Sequence, residues 1–121
     1  MNEKDLKNQL DIAKKAAKDA GILLVKKKSE LLNSIFSSNR DIKLKADIES
    51  EKFIKEYLNT NSVYPILAEE SGKSIKDLGK NFWVVDPLDG TANYSRNIPI
   101  CCVSIGLISD LKPVLGVIYD F

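Results

Sequence analysis

The chain has 121 residues, 18 lysines and arginines against 17 aspartates and glutamates, 44% hydrophobic residues and no histidine. That length allows one domain with a real core, and a net charge of +1 gives no basic field for nucleic acid or an anionic membrane. Without histidine there is no Ser-His-Asp triad, no Cys-His dyad and no His-bearing zinc site, so acid-base or metal chemistry must come from carboxylates, lysines or hydroxyls.

Residues 4–28 predict one long helix. Leu6, Leu10, Ala13, Ala17, Ala20 and Leu24 recur every three or four positions and form one apolar stripe. Gly21 weakens it and invites close approach by another backbone. The run Lys26-Lys27-Lys28 suits a helix C-terminus, where cations meet the negative end of the dipole. Residues 33–45 read as a mobile connection, with turn chemistry in Ser37-Ser38-Asn39-Arg40-Asp41. A second helix spans 47–58. Asp47 is its N-cap or a first-turn residue, Glu49 and Glu51 favour the positive end, and Phe53, Ile54 and Leu58 face the core. Asn59 to Ser62 is a break.

The period then changes. Val63 to Ala68 reads as a short strand ending in Glu69-Glu70, and Ser71 to Asn81 as a polar loop. Phe82 to Val85 is a buried strand ending at Asp86. Cys101 to Ile108 and Val114 to Tyr119 are strands joined by the turn Asp110-Leu111-Lys112-Pro113, hence an antiparallel hairpin. Helices followed by strands predict an α+β fold. Cys101 and Cys102 are adjacent and point to opposite faces, so they read as reduced core residues. No apolar run is long enough for a membrane span, and the polar start Met1-Asn2-Glu3-Lys4 is unlike a signal peptide; a soluble cytoplasmic chain is expected. Phe121 follows an apolar strand directly, which predicts that the natural sequence continues.

The informative hexapeptide is Asp86-Pro87-Leu88-Asp89-Gly90-Thr91. It follows a buried strand. Pro87 fixes its own φ and lacks an N–H, while Gly90 frees the backbone to turn. Two carboxylates three residues apart on such a turn can converge, and Thr91 can open a short helix whose free N–H groups face the same point and bind phosphate oxygens. Glu69-Glu70 ends another strand, and Asp47 opens a helix, so both can add acids to the same rim. Hard oxygen ligands without histidine or cysteine select Mg²⁺ or Mn²⁺ over zinc. Carboxylate-held metal beside a phosphate-binding helix start is the equipment of metal-assisted phosphoryl transfer. Each element alone has an ordinary reading: a capped turn, a solvated loop, a helix cap. The haloacid-dehalogenase pattern Asp-x-Asp-x-Thr fails because its first aspartate would fall on Pro87, and the EF-hand spacing is absent.

Trp83-Val84-Val85-Asp86-Pro87-Leu88-Asp89-Gly90-Thr91-Ala92-Asn93-Tyr94, with Ile98-Pro99 and Val103-Ser104-Ile105-Gly106, resembles the inositol monophosphatase family. Ala68-Glu69-Glu70-Ser71-Gly72 resembles its Glu-Glu-Ser motif, Lys45-Ala46-Asp47 its second-helix aspartate, and Gly116-Val117-Ile118-Tyr119 a family strand. The resemblance implies two N-terminal helices packed on a mainly antiparallel sheet, the first part of a layered αβαβα sugar-phosphatase fold, with residues 1–121 as its metal- and phosphate-binding half and the C-terminal half absent. It implies Mg²⁺ as cofactor, held by Glu69, Asp86, Asp89 and the Leu88 carbonyl. Asp47 and Thr91 would position and activate the attacking water, with Glu69 also counted as catalytic. Leu88, Asp89, Gly90 and Thr91 would contact the substrate, the Gly90 and Thr91 amides holding the phosphate, and Glu70 would lie one shell further out. The reaction implied is hydrolysis of a small phosphate monoester by metal-activated water, in a homodimer at full length, with no nucleic-acid polymer or membrane as partner.

The sequence departs from the family pattern in three places. The family often carries a lysine before its second helix; here Ile35-Phe36-Ser37-Ser38 stands there, and only Arg40 or Lys43 can substitute. Leu44 replaces a common hydroxyl. The family's later Trp-Asp motif has no counterpart, because Trp83 is the only tryptophan. Two other functions fit the residues: a 3′(2′),5′-bisphosphate nucleotidase, from which Asn93-Tyr94 leans away, and a non-catalytic fragment or assembly module. Little turnover is expected from the 121 residues alone.

Overall fold

The computed structural model describes residues 1–32, 34–37 and 42–121, with the backbone alone at 34–37 and 42. Helix α1 spans Glu3–Lys26. Asn2 caps it by accepting the Asp5 N–H at 2.8 Å, and Glu3 and Asp5 lie at its positive end. The expected stripe is buried at Ala13, Ala17, Ala20 and Leu24 and half-buried at Leu6 and Leu10. A Cβ on Gly21 would lie 2.4 Å from the Tyr119 ring, so the close approach expected there is made by an aromatic side chain rather than by backbone.

The helix expected to reach Lys28 stops at Lys26, and a four-residue α2, Lys28–Leu31, follows. The Leu24 carbonyl, which the next turn of α1 would use, accepts the Tyr94 hydroxyl at 2.6 Å. Lys28 Nζ lies 4.7 Å from the centre of the Tyr94 ring, a cation–π contact at the helix end. Where a connection was expected, β1 (Ser34–Ser37) and β2 (Ile42–Leu44) form an antiparallel ribbon. Ile35, Phe36 and Ile42 supply the β-branched and aromatic residues that favour extended backbone. Ser38, Asn39, Arg40 and Asp41 lie outside the described residues.

Helix α3 spans Lys45–Asn61, two residues earlier and three later than expected. Asp47 is therefore its third residue, not its cap; its carboxylate reaches back to the N–H of the cap residue Leu44. At the far end, Thr60 and Asn61 side chains donate to the Glu56 and Tyr57 carbonyls and carry the helix through the expected break. Its buried face is Ala46, Ser50, Ile54 and Leu58, one residue per turn; Phe53 is only half-buried.

The five-stranded sheet has the order β4-β3-β5-β6-β7: Gly72–Lys73, Ile66–Ala68, Asn81–Asp89, Cys102–Ser109 and Lys112–Asp120. All neighbours are antiparallel except β3 and β5, which run parallel. β3 begins only after Pro65, whose missing N–H delays the ladder and leaves Val63 exposed. The expected polar loop contains β4, which Gly72 makes possible at φ +73°. Trp83, Val85, Val103, Ile105 and Leu107 are buried on the face that α1 and α3 cover. The fold is α+β, with two long helices on a mostly antiparallel sheet, as expected. No helix among the described residues is long and apolar enough to cross a membrane.

Two outcomes follow. Asp110 and Leu111 form the β6–β7 turn at φ 53° and 63°, a conformation that costs a leucine strain glycine does not feel. Leu111→Gly is expected to stabilise the protein by about 1 kcal/mol, read as a higher urea midpoint. Burial, then the charges of Cys101 and Asp47, pushes the Tyr94 hydroxyl up to about 12. Its unfolded value is lower, so this contribution is full below about pH 10 and lost as pH rises towards 12. Tyr94→Phe should flatten that alkaline loss of stability in denaturation profiles, while costing about 1 kcal/mol at neutral pH for the lost hydrogen bond.

Candidate functional site

The site is built where β3 and β5 end. Their parallel register pairs Ala68 with Val85, which places Glu69 beside Asp86 at the carboxyl ends of both strands. The Glu69 N–H donates to the Val85 carbonyl at 3.2 Å and fixes the turn. Glu69 is pushed up to about 7, first by hydrogen bonding with the neighbouring Asp86 carboxyl, then by partial burial, then by the charges of Asp86, Glu70 and Asp47. Asp86 Oδ1 is buried and has no hydrogen-bond partner among the described residues. Two crowded carboxylates and one orphaned oxygen are a donor set that fits a hard divalent cation such as Mg²⁺. Among the described residues no three histidine, cysteine, aspartate or glutamate side chains converge as a finished cage.

Pro87 has no N–H for the ladder to β6. The register accordingly slips, with Asp86 opposite Ser104 and Asp89 opposite Cys102, so three steps on β5 match two on β6. The Pro87 carbonyl is taken by the buried Ser50 hydroxyl at 2.7 Å. Gly90 turns the chain at φ +91°, and a Cβ there would lie 2.7 Å from the Ile100 carbonyl oxygen. The short helix α4, Thr91–Ser95, begins immediately after it.

Asp47 joins this turn to α3. Its Oδ1 accepts the Thr91 hydroxyl at 2.8 Å, and its Oδ2 accepts the Leu44 N–H at 2.8 Å. The Thr91 hydroxyl also lies 3.3 Å from the Leu88 carbonyl. Burial raises the Asp47 carboxyl, against the lowering effect of the Leu44 and Thr91 hydrogen bonds.

Asp47, Thr91 and Leu88 are thus in direct contact, Glu69 and Asp86 form a second group, and the two groups feel each other's charge. Asp89 makes a different contact: its Oδ2 accepts from the Cys102 thiol at 3.8 Å, and that thiol also feels the charge of Asp86. A hollow of about 450 Å³, lined by Leu67, Glu69, Val84, Asp86, Ser104 and Gly106, opens on one side, and one of about 410 Å³ containing Asp89, Gly90 and Cys102 on the other. Cys101 is buried and Cys102 half-buried, both as free thiols.

Three participants were not singled out from the sequence as site residues: Ser50, Glu51 and Cys102. Ser50 and Glu51 stand three and four residues after Asp47, on the helix face that Ile54 and Leu58 continue. Polar residues within an apolar stripe were the available signal. Glu51 is 4% exposed, and its Oε1 accepts the Glu70 N–H at 2.8 Å. The Glu70 carboxylate pairs with Lys43 at 2.5 Å.

The chain belongs to the inositol monophosphatase family, whose pattern it matches over residues 5–121. It is 40% identical over 117 residues to the Nus factor SuhB of Xylella fastidiosa, covering 94% of this chain and 42% of that protein. It is 35% identical over 119 residues to an inositol-1-monophosphatase of Synechocystis, covering 96% and 41%. The crystal structure of the extragenic suppressor protein SuhB from Bartonella henselae superposes with a TM-score of 0.82 at 35% identity, covering 92% of this chain and 44% of that one. The chain spans about two fifths of the length of the curated relatives it matches.

Gly90→Ala combines left-handed strain with a backbone clash and is expected to destabilise the protein by roughly 2–4 kcal/mol, checked by urea or thermal unfolding.

Proposed function

We propose that the chain contributes the first part of the active site of a Mg²⁺-dependent phosphomonoesterase that hydrolyses a small phosphate monoester of the inositol monophosphate type. The observations that support this reading are the Thr91–Asp47 hydrogen bond and the crowded Glu69–Asp86 carboxylates, with Asp86 Oδ1 buried and without a partner among the described residues. Family membership supports the same chemistry. Residues 1–121 would form one metal- and phosphate-binding unit of a longer, cytoplasmic and homodimeric enzyme.

In this proposal Glu69, Asp86, the Leu88 carbonyl and Asp89 would hold Mg²⁺. The cation, when bound, would supply Lewis acidity towards the phosphate and the departing alkoxide oxygen. Thr91 donates its proton to Asp47, so its oxygen remains free to accept one from a water molecule. Asp47 is held at both oxygens and cannot swing away; the water therefore has a fixed acceptor, and Asp47 is the base behind it. The Gly90 and Thr91 amides, at the start of α4, would receive phosphate oxygens. Ser50 fixes the Pro87 carbonyl and with it the turn that carries both groups.

In the full-length enzyme, Asp86→Asn is expected to abolish Mg²⁺-dependent phosphate release, and Thr91→Val to lower kcat by about 10²–10⁴-fold, with Thr91→Ser recovering part of it. Full activity in Asp86→Asn would sink the assignment. Phosphate release should be faster from inositol 1-phosphate than from adenosine 3′,5′-bisphosphate; the opposite order would favour the nucleotidase reading.

A further inference from the structure

Glu69 and Glu70 are neighbours in sequence with opposite surroundings. Glu69 stands beside Asp86, because the parallel register pairs Ala68 with Val85. Glu70 is held at both ends. Its backbone N–H donates to the buried Glu51 carboxylate at 2.8 Å, and its own carboxylate meets Lys43 Nζ. The Glu70 side chain is 12% exposed and the Lys43 side chain 33%, so the carboxylate is largely covered while the ammonium still meets solvent. Lys43 comes from β2 and Glu51 from the second turn of α3, the helix that β2 leads into.

We propose that Lys43 and Glu51 are positioning residues that keep Glu70 from joining Glu69 and Asp86 as a cation ligand. This inference rests on the cation-dependent reading above. Glu51 fixes the peptide between the two glutamates, so Glu69 points along the strand end and Glu70 away from it. Lys43 then occupies the Glu70 carboxylate with an internal cation. The charge facing a bound divalent ion is thereby reduced by one unit. The groups that face Lys43 are Glu70, Glu51 and Asp47, all acidic, and all hold its ammonium in the charged form.

The sign of the effect separates this role from simple bracing. Removing Lys43 frees an anion one residue from Glu69, so the site should bind a divalent cation more tightly, whereas loss of a structural brace should loosen it. The test is Mn²⁺ binding to the full-length protein, followed by electron paramagnetic resonance and calorimetry at low ionic strength. Lys43→Met is expected to tighten Mn²⁺ on the order of tenfold, an effect that shrinks with added salt. Lys43→Arg should behave as wild type, and Lys43→Met combined with Glu70→Gln should return to it. Glu51→Ala, which releases the Glu70 peptide, should broaden the Mn²⁺ spectrum, and Glu51→Gln, which keeps an acceptor oxygen, should restore it. Unchanged or weaker Mn²⁺ binding in Lys43→Met, with wild type binding normally, would overturn this inference alone. No Mn²⁺ binding by the wild type would overturn the cation reading and this inference with it.

Discussion

Proline at position 87 cannot donate to the ladder between β5 and β6, and much of the site follows from how the fold absorbs that lost hydrogen bond. A regular strand would send Asp86 and Asp89, three positions apart, to opposite faces. The slipped register re-aims the segment between them. The freed carbonyl of Pro87 is then taken by Ser50, whose helix is held to the same turn a second time through Asp47 and Thr91. Two hydrogen bonds from one helix, one turn apart, therefore fix a bulge that would otherwise be the loosest part of the strand. The bulge needs α3, and α3 needs its apolar face against the sheet, so the site depends on the same burial of Ile54 and Leu58 that holds the domain together.

The electrostatics have a complementary logic. Asp47, Glu51, Glu69, Glu70 and Asp86 gather around the ends of two strands, and Lys43 is the cation that pairs with one of them. Asp47 and Glu51 are satisfied by backbone N–H groups and a hydroxyl. Such bonds stabilise a carboxylate without adding a countercharge. Glu69 is crowded by Asp86, which pushes its carboxyl up, and Asp86 Oδ1 has no partner among the described residues. The satisfied acids position the chain, and in the proposed function the other pair would face the cation.

Much of this was legible beforehand. The hydrophobic period marks both long helices and the last hairpin, and Pro87 and Gly90 mark the turn that the structure makes between Asp86 and Thr91. What escaped was set by contacts between distant segments. α1 stops early where the hydroxyl of Tyr94, seventy residues downstream, takes the Leu24 carbonyl. β4 and the β1–β2 ribbon are too short for periodicity to register. Asp47 reads equally as an N-cap or a first-turn residue, because Leu44, the actual cap, has no polar side chain to signal itself. Ser50 and Glu51 carry a readable signal, polar residues on an apolar stripe, yet their partners are a carbonyl and an N–H, which no side-chain motif encodes. Asp89 joins the motif in sequence but faces Cys102 in space.

The separation between Glu69 and Glu70 shows how a repeated residue acquires two functions. Adjacent residues at a strand end diverge by geometry, but divergence alone leaves both carboxylates in the same field, and a shared field would draw both to one cation. Only a second restraint keeps them apart. Glu51 supplies it through the peptide and Lys43 through the charge. The two restraints come from different elements, so neither helix α3 nor strand β2 alone determines the charge at the site. A change in the seating of β2 would move Lys43 relative to Glu70 without touching Glu69 or Asp86. The charge presented to a ligand is therefore a property of how the ribbon packs on the helix, and the strand ends supply only its location.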